Sequence, residues 1–392
     1  MFGAIYIGLS GLNAYSQGLQ QVSNNVTNLN TTGFKASSVS FADLFGVTDQ
    51  GGSTFTDGGD GSGHGVGLGA QRLDFKQGEL RQTGRDLDLS VDGTGFLVVK
   101  DGTDLFYTRT GSFEINQDGQ VVIAGTDYQL TVLDGAGQPQ PVSVDRARTS
   151  APKPTTRVTF TDNLSSTATT HGISDIKVYD AKGAEHVWQV KFDKDTTATD
   201  TWKVTVTDDK ARTIGEKTLK FSGGVVDPAT SKLAFANADA GLSVELDFSL
   251  GVTSFSSGEV STLSKGTVDG YGIGTVATIT VNSKGRLEIG YTNEQKTDLG
   301  AIAIADFRDP QSLEQRGGGL FTHSGLGQAD YRSSDDPRVG KVVAKQLEAS
   351  NVDLSGQFGD LILIQRGFQA SSQVISVSND MIQQLFGIRG QG

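Results

Sequence analysis

Cysteine is missing from all 392 residues, which excludes disulfides, thiolate nucleophiles, zinc–cysteine sites and iron–sulfur clusters. A secreted protein of this size does not need disulfides, so the absence does not assign the chain to the cytosol. Histidine is nearly as scarce: His64, His171, His186 and His323 show no i, i+4 spacing, and no metal site or cofactor is expected. No Gly-x-Ser-x-Gly elbow is present, and Asp92, Asp101 and Asp104 read as turn formers rather than as a catalytic carboxylate pair. Positive charge is in deficit, with 33 Lys and Arg against 45 Asp and Glu, a net charge of −12. Such a chain gains nothing from counterion release on nucleic acid and is repelled by anionic lipid. Long apolar runs are lacking too, and Leu361 to Ile364 falls far short of a bilayer span, so no membrane insertion is expected. The start, Met1-Phe2-Gly3-Ala4-Ile5-Tyr6, has neither a basic region nor a long apolar stretch of the secretory type. Any export is therefore expected to leave the N-terminus in place.

Glycine, by contrast, reaches 52 residues while proline stops at 7, a profile that suits many short strands joined by tight turns. The two ends differ from the middle. Residues 1–34 contain no Asp, Glu, Lys or Arg; Ile5, Leu12, Leu19 and Val26 recur every seventh position, with Tyr15, Val22 and Leu29 three residues behind. Near the other end Asp353 reads as an N-cap, followed at heptad spacing by Leu354, Leu361, Phe368, Ile375 and Ile382, with Phe358, Ile364, Leu385 and Phe386 in adjoining positions. From Leu361 to Ile388 only Arg366 and Asp380 are charged. Two amphipathic helices packed on the chain's own core would give such heptads. Solvated outer faces would carry Lys and Glu, however, so we read both helices as wanting partners. The polymerisation seam is expected at Ile5, Leu12, Tyr15, Leu19, Val22, Val26, Leu29, Leu354, Phe358, Leu361, Phe368, Ile375 and Ile382.

Between the ends the period falls to 2. Leu87 to Val91 alternates, and Gly95 to Val99 follows a Gly-rich turn. Hairpins are predicted around Asn116-Gln117-Asp118-Gly119, Asp180-Ala181-Lys182-Gly183 and Asn282-Ser283-Lys284-Gly285. The stretch 148–275 has its own texture, rich in Thr, Asp, Lys and Ser. The expected class is therefore mainly β with α-helical termini: an N/C coiled-coil pair, one discontinuous β domain, and a second β domain inserted into it. The domains read as a terminal helical part at 1–30 and 350–392, linkers at 31–70 and 336–349, a first β domain at 71–147 and 276–335, and the inserted outer β domain at 148–275. The run Asp57 to Gly65 lacks the Lys-Ser/Thr of a phosphate loop and reads as a linker.

Several motifs carry a family resemblance: Ser10-Gly11-Leu12-Asn13-Ala14, Asn24-Asn25-Val26-Thr27-Asn28, Thr32-Gly33-Phe34-Lys35 and Ser40-Phe41-Ala42-Asp43-Leu44-Phe45 near the start, and Phe96 with Tyr107-Thr108-Arg109-Thr110-Gly111-Ser112-Phe113 further on. Leu347-Glu348-Ala349-Ser350-Asn351-Val352-Asp353-Leu354 and Gln365-Arg366-Gly367-Phe368-Gln369-Ala370 complete them. Together they resemble the axial proteins of the bacterial flagellum, the rod and hook family. The size of the insertion and Gly290-Tyr291-Thr292-Asn293-Glu294-Gln295 look like the hook branch rather than the shorter distal rod proteins.

The resemblance implies a non-enzymatic subunit of an extracellular tubular polymer. It would bend as a universal joint while passing torque from rod to filament, and it would be exported unfolded without a cleaved signal. Its implied partners are copies of itself, the distal rod protein, the hook cap, the hook–filament junction protein and the flagellar type III export apparatus. Phe41-x-x-x-Phe45 resembles an export-gate motif and reads equally well as a pair of core aromatics. Two readings from other classes are an extracellular β-domain adhesin and a β-rich polysaccharide hydrolase. The charge-free helical ends argue against the first, and the lack of carboxylates placed beside Trp188 and Trp202 argues against the second.

Overall fold

The computed structural model describes residues 2–43, 65–323, 329–334 and 336–389. Among them are two α-helices, α1 (Phe2–Thr27) and α2 (Leu354–Arg389), one at each end of an otherwise β-rich chain. The chain divides into two compact units. The first comprises 1–145, 279–288 and 298–392; the second comprises 146–278 and 289–297.

In the first unit the helices lie antiparallel, and a large sheet follows. Its central path runs from strand Leu313–Gln315 through Leu320–His323, Asp104–Thr108, Phe96–Asp101, Gln129–Leu133, Val121–Ile123, Thr110–Ile115 and Asp88–Asp92 to Lys341–Ala344. Phe96 is the hub of an aromatic cluster, with Phe75, Phe307 and Phe321 each 5.7 Å away in edge-on geometry. The alternation of Leu87 to Val91 suggests a strand with one wet face, yet Asp88 and Ser90 are buried along with Leu89 and Val91. The strand lies between two neighbours, and Asp88 accepts a 2.6 Å hydrogen bond from Ser112.

The second unit is built on a ten-stranded sheet whose long strands Thr170–Tyr179, Glu185–Lys194, Thr201–Thr207 and Thr213–Ser222 form a meander. Strand Arg157–Asn163 enters parallel to Leu242–Asp247. The core carries Trp188 and Trp202, both fully buried, and Phe160 stacked on Phe248 at 4.6 Å.

One turn design recurs. At Asn116, Asp134, Asp180 and Asn282 the side-chain oxygen accepts the N–H four residues on, at 2.8, 2.8, 2.9 and 3.1 Å. The residue three positions on is Gly119, Gly137, Gly183 or Gly285, each with φ between 67° and 83°. A fifth copy at Asp208 carries Ala211 in that place, at φ 56°.

Candidate assembly surface

Helix α1 forms because its 26 residues hold no proline and no charged side chain to repel a neighbour. Helix α2 starts where Asp353 accepts the N–H of Ser355 at 3.0 Å, the expected N-cap contact. The two pack through small residues. A Cβ placed on Gly8 would lie 2.7 Å from Ile375 Cγ1, one on Gly11 2.5 Å from Ser371 Oγ, and one on Gly367 2.3 Å from the Tyr15 ring. The backbones therefore approach more closely than larger residues would allow.

This contact redistributes the expected seam. On α1 the buried face is Gly8, Gly11, Ala14, Gly18, Val22 and Asn25; Ile5, Leu12, Tyr15 and Val26 are half-buried beside it, Leu19 is exposed, and Leu29 is half-buried in the turn after the helix. On α2 the covered stripe is Leu361, Ile364, Gly367, Ser371, Ile375, Ser378 and Ile382, spaced three or four apart as in a heptad seam, with Gly367 in place of Phe368. Leu354 and Phe368 of the heptad series and the adjoining Phe358 are more open, at 37%, 43% and 52% exposure. Spacing alone gave no sign that glycines and a serine sit opposite the large residues in the intrachain contact.

Much apolar surface on α2 stays open. Leu363, Val374, Met381 and Leu385 follow one another along one side of the helix, and Phe368 and Phe386 lie on another. Leu363 and Phe386 are the most open of these, at 69% each. On α1 the exposed residues include Tyr6, Ile7, Leu9 and Leu19. Phe41 pairs with Tyr15 at a ring separation of 5.0 Å. Phe45 and the residues from 57 to 64 lie outside the described residues.

The roots of both helices meet in a buried charge cluster. Glu348 accepts from Lys35 Nζ at 2.6 Å and from the Gly78 N–H at 2.9 Å through one oxygen, and from Arg109 Nε at 3.2 Å through the other. All three side chains are at most 2% exposed. Lys35 also donates to the Lys76 carbonyl at 2.6 Å, and Arg109 to the carbonyls of Val91, Gly93 and Gly95. Burial pushes both Lys35 and Arg109 below their usual pKa values, and Glu348 opposes the shift in each. Beside the cluster, Asn351 donates to the Asp74 carbonyl at 2.6 Å and accepts the Ala36 N–H at 2.8 Å. Asn25 of α1 donates to Gln357 of α2 at 2.9 Å and to the Ser37 carbonyl at 2.8 Å. Asn25, Lys35, Arg109, Glu348 and Asn351 all lie in the motifs that carried the resemblance. Sequence reading gave them no role, because a lone Lys or Glu says nothing about a partner hundreds of positions away.

No group of three or more metal-ligating side chains occurs among the described residues. His171 contacts the Leu263 carbonyl at 2.8 Å, His186 lies 3.7 Å from Asp180, and His323 rests against Phe307. No helix among the described residues is long and apolar enough to cross a membrane.

Four family models match in chain order: "Flagella basal body rod protein" at 5–35, "Flagellar hook protein FlgE/F/G D1 domain" at 90–162, "Flagellar basal body protein FlaE D2 domain" at 145–271, and "Flagellar basal body rod FlgEFG protein C-terminal" at 343–388. The flagellar hook protein FlgE of Borreliella burgdorferi is 28% identical, over 99% of this chain and 100% of its own length. That of Salmonella typhimurium is 29% identical over 97% and 98%. A crystal structure of the Helicobacter pylori flagellar hook protein FlgE2 aligns at a TM-score of 0.47 and 12% identity, over 69% of this chain and 99% of that one. With both helical ends and both β regions matched in order, and relatives matched from end to end, this chain belongs to the flagellar hook protein family.

Proposed function

We propose that this chain is the structural subunit of the flagellar hook, a self-assembling tube that joins rod to filament and bends while it turns. The observation that carries the assembly mechanism is the amount of apolar surface on α2 beyond the side that faces α1. An isolated helix pair would hold Lys and Glu there, whereas a helix lined by neighbours needs apolar residues on several sides. Subunit addition covers these sides, so ordering of the ends accompanies binding.

The helical parts at 1–30 and 350–392 form the inner tube in this reading. The linkers span 31–70 and 336–349, the first β domain 71–147 and 276–335, and the outer domain 148–275. The outer strands carry exposed pairs of opposite charge, such as Lys191 with Asp193 at 3.0 Å and Lys203 with Glu216 at 2.7 Å. Pairs of this kind are individually weak and solvated, which suits contacts that slide as the tube bends.

The subunit performs no catalysis, and the chemistry of its surfaces supports association alone. Its partners are further copies of itself, the distal rod protein, the hook cap, the hook–filament junction protein and the type III export apparatus. Export precedes folding, which suits a chain that needs no disulfide. The test is immunogold electron microscopy of detached flagella with antibody raised against residues 150–275. Gold on the short curved segment between rod and filament is the expected result. Gold on the straight rod would move the subunit one segment inward, and gold nowhere on an accessible organelle would overturn the reading.

A further inference from the structure

The helix pair is staggered. Gly8 faces Ser371 and Ile375, Tyr15 faces Gly367, Gly18 faces Ile364, and Asn25 bonds to Gln357. Partner numbers thus total about 382, which sets the first residues of α1 level with Asp380. Helix α2 continues to Arg389, so its last nine residues run on for roughly 13 Å at 1.5 Å per residue. This extension continues the covered stripe through Ile382 and carries Met381, Leu385 and Phe386 at 52%, 51% and 69% exposure. Beyond Ile382, each residue from Gln383 to Phe386 is exposed.

A complementary hollow lies on the same molecule. On the side of α1 turned away from α2, Tyr6, Leu9, Asn13 and Ser16 form a groove of about 680 Å³ whose other wall is strand Val66–Leu68. The α1 wall of the groove, from Tyr6 to Gln17, is about 16 Å long at the helical rise. Every lining residue is uncharged, as is each residue of the extension from Met381 to Ile388. Matching length, matching lack of charge and continuity with the α1–α2 contact all favour one occupant over a foreign partner.

We propose that the α2 extension of one copy seats in the α1 groove of the next, a head-to-tail contact with Leu385 and Phe386 against Tyr6 and Leu9. It rests on the polymer reading above and adds the register. Extension and groove are different surfaces, so the contact is heterologous, and repeated without closure it generates a helical fibre.

The absence of native cysteine makes the test direct. A chain with both Leu9→Cys and Phe386→Cys is expressed in place of the native one, and its hooks are isolated and oxidised. Within one copy Leu9 is level with residue 373, so position 386 is ~20 Å further along, whereas a disulfide needs Cα atoms about 4–7 Å apart. Any bond between the two positions therefore joins different copies. The expected result is a ladder of covalent multimers in which the tryptic peptide 1–35 is linked to peptide 367–389. Hooks that form but never yield that linked peptide, with this pair or with Tyr6→Cys plus Leu385→Cys, overturn the inference and leave the hook reading intact. Loss of the hook reading itself would show separately, as absence of the unsubstituted chain from hooks.

Discussion

Glu348 lies 2.6 Å from Lys35 across 313 positions of sequence, and neither side chain is exposed to solvent. The pair ties the segment leaving α1 to the segment entering α2, and Arg109 on the second carboxylate oxygen ties both to the β-sheet. Removing the carboxylate would leave two cations facing each other in a dry site. Glu348→Gln is therefore expected to destabilise the first unit by about 3–5 kcal/mol. Lys35→Met leaves the Glu348–Arg109 pair intact and should be milder. Urea unfolding of the first unit, followed by far-ultraviolet circular dichroism, measures both; a Glu348→Gln variant as stable as the parent would show that the cluster does not anchor the helices.

The cluster also shows where sequence reading stops. Lys35 and Glu348 stand in motifs that marked the family, but their contact depends on chain ends brought together by the β-sheet between them. Hairpins were easier to read. Asn116, Asp180 and Asn282 each announce a turn through a glycine three residues on, because the side chain bonds the local backbone and the glycine takes a positive φ. Helical ends were legible as helices, yet their facing sides were not. Large residues at heptad spacing drew attention, while the small residues they pack on, Gly8 beneath Ile375 and Gly367 beneath Tyr15, did not.

That difference separates two mutations that look alike in sequence. Phe368 is 43% exposed, whereas Leu361 is covered at the helix contact. Phe368→Asp should leave the monomer's thermal stability within about 0.5 kcal/mol of the parent, as expected for a surface change, while abolishing polymer growth. Leu361→Asp should weaken the helix pair as well. Melting curves of the monomer and electron microscopy of assembly reactions distinguish them; normal polymers from the Phe368→Asp variant would remove that face from the interface.

Close approach at Gly8 gives a third expectation. Ile375 Cγ1 stands 2.7 Å from where a Cβ would be, and the Ser371 carbonyl 3.3 Å away, so a leucine cannot be accommodated without separating the helices. Gly8→Leu should cost about 1–3 kcal/mol through overpacking, even though leaving glycine gains about 1 kcal/mol of helix propensity. Helicity of the terminal region, read by hydrogen exchange at 2–27 and 354–389, should fall, and unchanged protection would contradict the packing described.

Acid should act on the second unit through its turn carboxylates. Backbone N–H groups of Ala184 and Lys182, with His186 beyond them, hold Asp180 below its usual pKa, and Thr197 does the same for Asp195. In the unfolded chain these acids bind protons near pH 4, whereas the folded forms stay ionised to lower pH. The unfolded state then binds more protons, so stability is fully present above about pH 4–5 and declines as pH falls below that range. Trp188 and Trp202 are the chain's only tryptophans and both lie buried in this unit, so their fluorescence reports its unfolding alone. Asp180→Asn should flatten the acid limb; an unaltered pH profile would rule out Asp180 as a source of the dependence.

The fifth turn was invisible in the sequence because Asp208-Asp209-Lys210-Ala211 lacks the glycine of the other four, yet Ala211 adopts φ 56° and donates to the Asp208 carbonyl at 3.0 Å as they do. A left-handed alanine is disfavoured by roughly 1–2 kcal/mol, and it persists because Asp208 fixes the turn through the N–H groups of Lys210 and Arg212 and through the Arg212 guanidinium. Ala211→Gly relieves that strain but gives the unfolded chain more freedom, a loss of about 0.4–1 kcal/mol. The net expectation is a gain of up to ~1 kcal/mol in the second unit, read as a higher urea midpoint in tryptophan fluorescence with an unchanged slope. A lower midpoint would mean that the turn tolerates Ala211 without strain, and that its geometry is set by Asp208 alone.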